Sequence, residues 1–376
     1  MFRVLACILV VVLGAVWPAL NPITTATAST IIRVGILRDQ DRVPITSDRP
    51  IGIVSGSLRS ALAPGAYEFT PGDRGIQVSS GGRLEPTVRL SPTGDARLLV
   101  GIRPYRGVIE LRRTSAGRLT VINELGLEEY LYGVLKMEVD PRWPPEALKA
   151  QAVAARTLAV YSLNRYGAEG YDVRATTDTQ VYGGVIAEDP RVMAAVDDTR
   201  GIVMVVGGKA VFGAFHSDSG GHTESSEYVW GGRYPYLRGV PDPYAPGAAW
   251  TLRLELPALE DLLRGAGRIA GGISGLEAAD LSPSGRVLTL RVTTTTGTAD
   301  LKATDLRALL GADRLRSTMF SVRMIGGDPA IVEFAGRGSG HGVGMSQWGA
   351  RGQALLGRTY LEILRYYYTG ITIEAR

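Results

Sequence analysis

One carboxylate stands where the pattern around it calls for an apolar residue. In Leu127–Ser162, Leu127, Leu131, Val134 and Leu135 recur at the i, i+4, i+7, i+8 spacing of a core-facing helical stripe. Glu138, seven residues after Leu131, falls on the same stripe, while Glu128, Glu129 and Lys136 are expected to face water. A carboxyl group drawn among apolar neighbours loses hydration of its charged form, so its pKa rises and it can hold a proton near neutrality. Such a group can serve as a general acid. The competing reading is a helix-end carboxylate bonded at the surface to Arg142 or Lys136.

The other concentration of chemistry is in two glycine-rich loops. The chain has 3 histidines, His216, His222 and His341, and all lie in such loops, where core-packing histidines are unusual. His216 and His222 bracket Ser217-Asp218-Ser219-Gly220-Gly221, and His341 sits in Gly336-Arg337-Gly338-Ser339-Gly340-His341-Gly342-Val343-Gly344-Met345-Ser346-Gln347. Glycine at nearly every second position lets the backbone approach a ligand or another segment closely. Three chemistries are open. The histidines with a carboxylate can make a tetrahedral zinc site, although no helical His-Glu-x-x-His pair fixes its geometry. Asp218-Ser219-Gly220 resembles a hydrolase nucleophile loop, but no histidine precedes His216 to act as an upstream base. The third is polar substrate binding around Glu138. The glycine spacing fits neither the dinucleotide fingerprint nor the phosphate loop.

The elements that must position these groups are readable in outline. Asp140-Pro141-Arg142-Trp143-Pro144-Pro145 ends the first helix, and Pro145 suits the first turn of a second, Glu146 to Ser162, with Leu148, Ala152, Ala155 and Ala159 on one side. The pair forms a helical corner carrying Glu138. Before it, from Ile31 to about Arg118, strand-like pieces alternate with Gly and Pro turns. After it come the polar loop Thr176–Gly184, a short helix Pro190–Thr199, and a hairpin pairing Ile202–Val206 with Ala210–His216. Further hairpins over Arg286–Lys302 and Met319–Phe334 deliver the second glycine loop, and the Thr359/Glu362 capping box starts a last helix, Tyr360–Tyr368. The expected class is mixed α+β: a β-rich N-terminal region, the helical corner, β-hairpins with Gly-rich loops, and C-terminal helices.

Composition bounds the rest. A content of 45% hydrophobic and 21% charged residues describes a chain able to bury a core. Arg3, the apolar run Val4–Val16 and Ala26-Thr27-Ala28 make residues 1–29 a secretory signal pattern, the alternative being a retained membrane anchor; either way the bulk of the chain is expected to be exported, to the periplasm, cell wall or medium. The single cysteine, Cys7, lies inside that segment, which removes disulfides, thiolate catalysis and cysteine-ligated zinc from the mature chain. The formal charge of +4 comes without a dense basic run interleaved with aromatics, so no nucleic-acid partner is expected.

With these residues in view, the chain resembles the SpoIID/LytB family, exported bacterial proteins acting on peptidoglycan. The resemblance rests on Glu129-Tyr130-Leu131-Tyr132-Gly133-Val134 through Glu138 with Glu146–Thr157, on Phe215-His216-Ser217 with Ser219–Glu224, and on Gly336–Gln347. It implies a catalytic domain over 119–372 after a β-rich region 30–118, with an α/β subdomain inserted at about 250–315. In the SpoIID branch a glutamate in a Ser-Glu-Met-Pro setting is the acid/base of a lytic transglycosylase. Position 138 matches it, although Lys136-Met137-Glu138-Val139-Asp140 departs from that setting. The implied glycan contacts are His216, Ser219, His222, Arg337, His341 and Gln347, with no cofactor. Zinc held by His and Cys, found in some members, cannot be carried over intact to a chain without the cysteine. The LytB branch enhances an amidase, which makes a non-enzymatic wall-binding protein with an amidase partner the alternative.

Overall fold

The computed structural model describes residues 30–376, so the expected signal pattern over 1–29 lies outside the described residues. The class is the expected one, α+β with a β-rich N-terminal region. Eight helices are present among the described residues: α1 (Leu127–Glu138), α2 (Pro145–Tyr161), α3 (Pro190–Asp198), α4 (Ser226–Trp230), α5 (Leu256–Gly265), α6 (Ala303–Leu310), α7 (Gln347–Leu355) and α8 (Tyr360–Tyr367).

Two sheets, of seven and six strands, account for the N-terminal part. In the larger, Leu119–Gly126 lies between Ile31–Gln40 and Val108–Arg113, antiparallel to both. This strand runs straight into α1, so the sheet aims the helix that carries Glu138. The two sheets, α1, α3 and one face of α2 share a continuous core, with Leu148, Ala152, Ala155 and Ala159 supplying the α2 side. The other face of α2, Ala150, Val153 and Ala154, packs with Val343, Met345, α7 and α8. The small residues let α2 be covered on both sides, and it becomes the beam between two cores. A third cluster, from Trp250 and Leu254 through Leu290 and Leu306 to Val332 and Phe334, belongs to the segment between them in sequence.

Two expectations are corrected. Glu128 does not face water: it is buried, and its carboxylate receives Nε and Nη2 of Arg156 at 3.0 and 2.6 Å and the Gly201 N–H at 3.1 Å. A helical stripe reveals apolar burial, and it does not reveal a cation arriving from the next helix. The hairpin over 202–216 is also shorter than expected. Only Lys209–Ala210 pairs back on Ile202–Val206, because at Gly213 the chain drops onto α2, where an added Cβ meets the Ala154 carbonyl at 2.8 Å. Phe215–His216 then pairs in parallel with Met345–Ser346.

Candidate functional site

α1 ends at Glu138, with extended Val139 capping it. The side chain is half-buried, and burial raises its pKa above the usual carboxylate value. Its place at the helix C-terminus, where the backbone dipole is negative, acts in the same direction. Against this, the Val181 backbone and the Gln347 side chain lie in reach of the carboxyl and favour its charged form. No cation contributes. Arg142, the proposed surface partner, instead pairs with Asp140 at 2.5 Å, and Lys136 is exposed. Tyr130, fully buried two turns earlier, has its hydroxyl pKa pushed up by burial and by the nearby Glu138 charge. Glu138 is therefore a lone, partly desolvated carboxyl facing one amide side chain and one backbone segment.

The polar loop over 176–184 supplies that backbone. Tyr182 anchors it, donating its hydroxyl to Asn123 Oδ1 at 2.8 Å, and the Gly183 N–H bonds the Gly133 carbonyl at 3.0 Å. Glycine is needed at 133 because a Cβ there meets Tyr182 Cε2 at 2.5 Å. Gly133→Ala is expected to gain about 1 kcal/mol of helix propensity and lose roughly 1–3 kcal/mol to overpacking. The net result is a lower melting temperature in a thermal scan, with Val181 lifted from Glu138.

The second glycine loop delivers Gln347 at the start of α7. Its register is set by the pairing of His216 with Ser346 and by the Trp348 N–H, which donates to the Ser217 carbonyl at 3.0 Å. Here the two histidine loops meet. His216 is 4% exposed, and its Nδ1–H donates to the Val343 carbonyl at 3.1 Å, leaving Nε2 bare and without a partner among the described residues. His341 Nδ1 accepts the Val343 N–H at 3.1 Å, which fixes the opposite tautomer. The rings are 5.6 Å apart, and both are held neutral. Burial, then the repulsion that two protonated rings would feel, then the Arg286 charge, lower His216 well below its ordinary value, and burial with Arg307 pushes His341 down to about 4.

The remaining expected contacts are held by partners of their own. Ser219 is fully buried, and its hydroxyl donates to Asp242 Oδ2 at 2.7 Å. No histidine partners it, so the nucleophile reading has no base. His222 is half-buried with Nδ1 against the Thr223 carbonyl at 2.6 Å. Arg337 is exposed, with Nε 3.2 Å from the Met319 sulfur. Among the described residues no three His, Cys, Asp or Glu side chains are grouped to hold a metal.

Three residues here escaped sequence reasoning. Arg286, buried at 1% exposure, reaches the carbonyls of Ser219 at 2.6 Å and His222 at 2.8 Å and so clamps the first loop. Gly342, at φ +84°, leaves room for it, since a Cβ would meet the guanidinium carbon at 2.6 Å. Trp143, on the turn after α1, and Trp348, next to Gln347, meet with ring centroids 5.1 Å apart. An arginine in a β-hairpin carries no local signal of its distant carbonyl partners, whereas two tryptophans flanking the candidate motifs could have been noticed.

The stage II sporulation protein (SpoIID) family matches residues 115–206, which include α1, α2 and Glu138, and a domain of unknown function (DUF8618) matches 249–344. An uncharacterized protein of Brachyspira hyodysenteriae is 38% identical over 284 residues, 75% of each chain. Stage II sporulation protein D of Bacillus amyloliquefaciens is 32% identical over 271 residues, 67% of this chain and 75% of that protein. The amidase enhancer of Bacillus subtilis is 31% identical over 293 residues, 65% of this chain but only 40% of that longer protein. The chain therefore belongs to the SpoIID/LytB family of cell-wall-related proteins.

Proposed function

We propose that the protein is an exported lytic transglycosylase that cleaves the MurNAc–GlcNAc β-1,4 bond of peptidoglycan, with Glu138 as its single acid/base. The observation that carries this reading is the Glu138 carboxyl itself, desolvated, paired with no cation and faced by Gln347 from the second loop. The protonated carboxyl donates to the glycosidic oxygen as the bond to muramic C1 breaks. The resulting carboxylate takes the proton of the muramic 6-hydroxyl as its oxygen bonds to C1. The proton is returned and no water is consumed, so one carboxyl suffices where two-carboxylate glycosidases need a pair. Gln347 and the Val181 backbone hold the carboxyl; His222, Arg337, His341 and the bare Nε2 of His216 are the proposed polar contacts to glycan. Ser219 acts by fixing its loop through Asp242. Incubation with peptide-free glycan strands tests the proposal: 1,6-anhydro muramic ends are expected, and unchanged strands reject it.

The raised pKa has two consequences. Cleavage requires the protonated form, so the rate falls as pH rises through the Glu138 pKa, above the ordinary 4.5. Between 4.5 and the raised value the folded state binds more protons than the unfolded state, so stability falls with rising pH and the loss is complete above that window. Glu138→Gln removes this penalty. Thermal unfolding should show the variant melting above wild type at neutral pH, with the difference vanishing well below 4.5.

A second reading follows from the similarity to a protein named amidase enhancer. There the chain binds wall glycan and stimulates a partner amidase without turnover, and Glu138 is structural. Equal stimulation of a purified amidase by wild type and Glu138→Gln, without anhydro ends, would favour it.

A further inference from the structure

We infer that Trp143 and Trp348 form an aromatic platform on which a sugar ring of the glycan strand stacks beside the bond held at Glu138. The inference rests on the reading of this cleft as a glycan site. The two rings come from segments far apart in sequence. Trp143 lies on the turn that follows Glu138, and Trp348 follows Gln347, whose side chain reaches the Glu138 carboxyl. Their centroids are 5.1 Å apart at 55°, which makes an open notch rather than a closed stack. Trp348 stays 37% exposed. It is nonetheless held in place, by its backbone bond to Ser217 and by the Arg351 guanidinium carbon 5.2 Å over its ring.

An indole fixed at the surface one residue from Gln347 is poorly explained by core packing, because much of its apolar area remains in water. A pyranose ring fits it: one face presents C–H groups that bury against the indole, while the hydroxyls at the ring edge stay free for polar partners. Beyond Trp143 the surface continues into a cavity of about 430 Å³, also lined by Pro141, Leu148, Lys149 and Arg191. That volume suits a small ligand group, and an apolar floor edged by polar groups of both signs, Lys149 paired with Asp198 at 3.1 Å and Arg191 paired with Asp189, suits a sugar with its hydroxyls. The strand would thus run from this cavity, over the two indoles, to the carboxyl.

The test is calorimetric binding of peptide-free glycan strands, carried out in the Glu138→Gln background so that turnover does not intervene. Trp348→Ala should weaken binding roughly tenfold or more, and Trp348→Phe, which keeps an aromatic face, by no more than about threefold. Trp143→Phe should also bind within about threefold of the parent, since it too retains a face. Circular dichroism and melting temperature should stay those of the parent for Trp348→Ala, because that ring lies at the surface. Parent-like affinity in Trp348→Ala, or loss in Trp348→Phe as large as in Trp348→Ala, overturns the platform. The two readings fail separately. Wild type that binds strands but forms no anhydro ends removes the transglycosylase and leaves the platform; wild type that forms them while Trp348→Ala binds normally removes the platform alone.

Discussion

Glu138→Gln is expected to fold, to bind peptide-free glycan, and to lose roughly 10²–10⁴-fold in the rate of anhydro-end formation, the span of a positioned acid/base. Glutamine keeps the shape and the polar contacts to Gln347 and the Val181 backbone but can neither give nor take the proton. The loss should fall on kcat and leave KM nearly unchanged, because the missing interaction is made only as the glycosidic oxygen departs. No second carboxylate has to be invoked to account for residual turnover, since none is required when the attacking oxygen belongs to the substrate. The contrast with Gly133→Ala is informative: that change leaves the carboxyl in place and alters only the backbone that faces it, so its effect on rate should be much the smaller.

The largest expected effect on stability is at Arg156. Its guanidinium is fully buried and satisfied by Glu128, by the Val196 carbonyl at 3.0 Å and by the Ile202 carbonyl at 3.2 Å. It ties the first turn of α1 to α2 and to the chain leaving α3. Arg156→Met leaves the Glu128 carboxylate buried without its cation, which should cost about 3–5 kcal/mol in chemical denaturation. The double variant Glu128→Leu with Arg156→Met should recover most of that loss, since a buried pair exchanged for apolar side chains is often neutral. A double variant as unstable as the single one would show that the carbonyl contacts, rather than the pair, hold the corner.

The same pair shows what the amino-acid sequence conveys and where it falls silent. α1 and α2 were legible because a 3.6-residue apolar stripe and the prolines at 141, 144 and 145 are local signals. Glu138 was legible for the opposite reason, as a violation of that stripe. The charge at 128 looked like a solvent-facing residue because its partner comes from another helix, and nothing in the local pattern announces it. The glycine loops were legible as close-approach backbone, and Gly342 shows one cause, a buried arginine lying where its side chain would be. The identity of that arginine was not legible. The histidine-bearing loops suggest convergence on a ligand, yet His216 is held in the interior by the Val343 carbonyl and Ser219 is enclosed with Asp242. Only Gln347 among the expected contacts reaches the Glu138 carboxyl directly. Membership of the family followed from three blocks of sequence, whereas the spatial division of labour within those blocks needed the fold.

The central claim is intramolecular attack driven by one carboxyl, and the fate of oxygen tests it most directly. Peptide-free glycan strands should be digested by the wild-type protein in water enriched in heavy oxygen, and the new muramic ends examined by mass spectrometry. The account predicts unlabelled 1,6-anhydro ends, one water lighter than hydrolysed ends and resistant to borohydride reduction. Labelled reducing ends would show that water is the nucleophile, and no new ends at all would show that the protein does not cleave glycan; either result contradicts the mechanism assigned to Glu138.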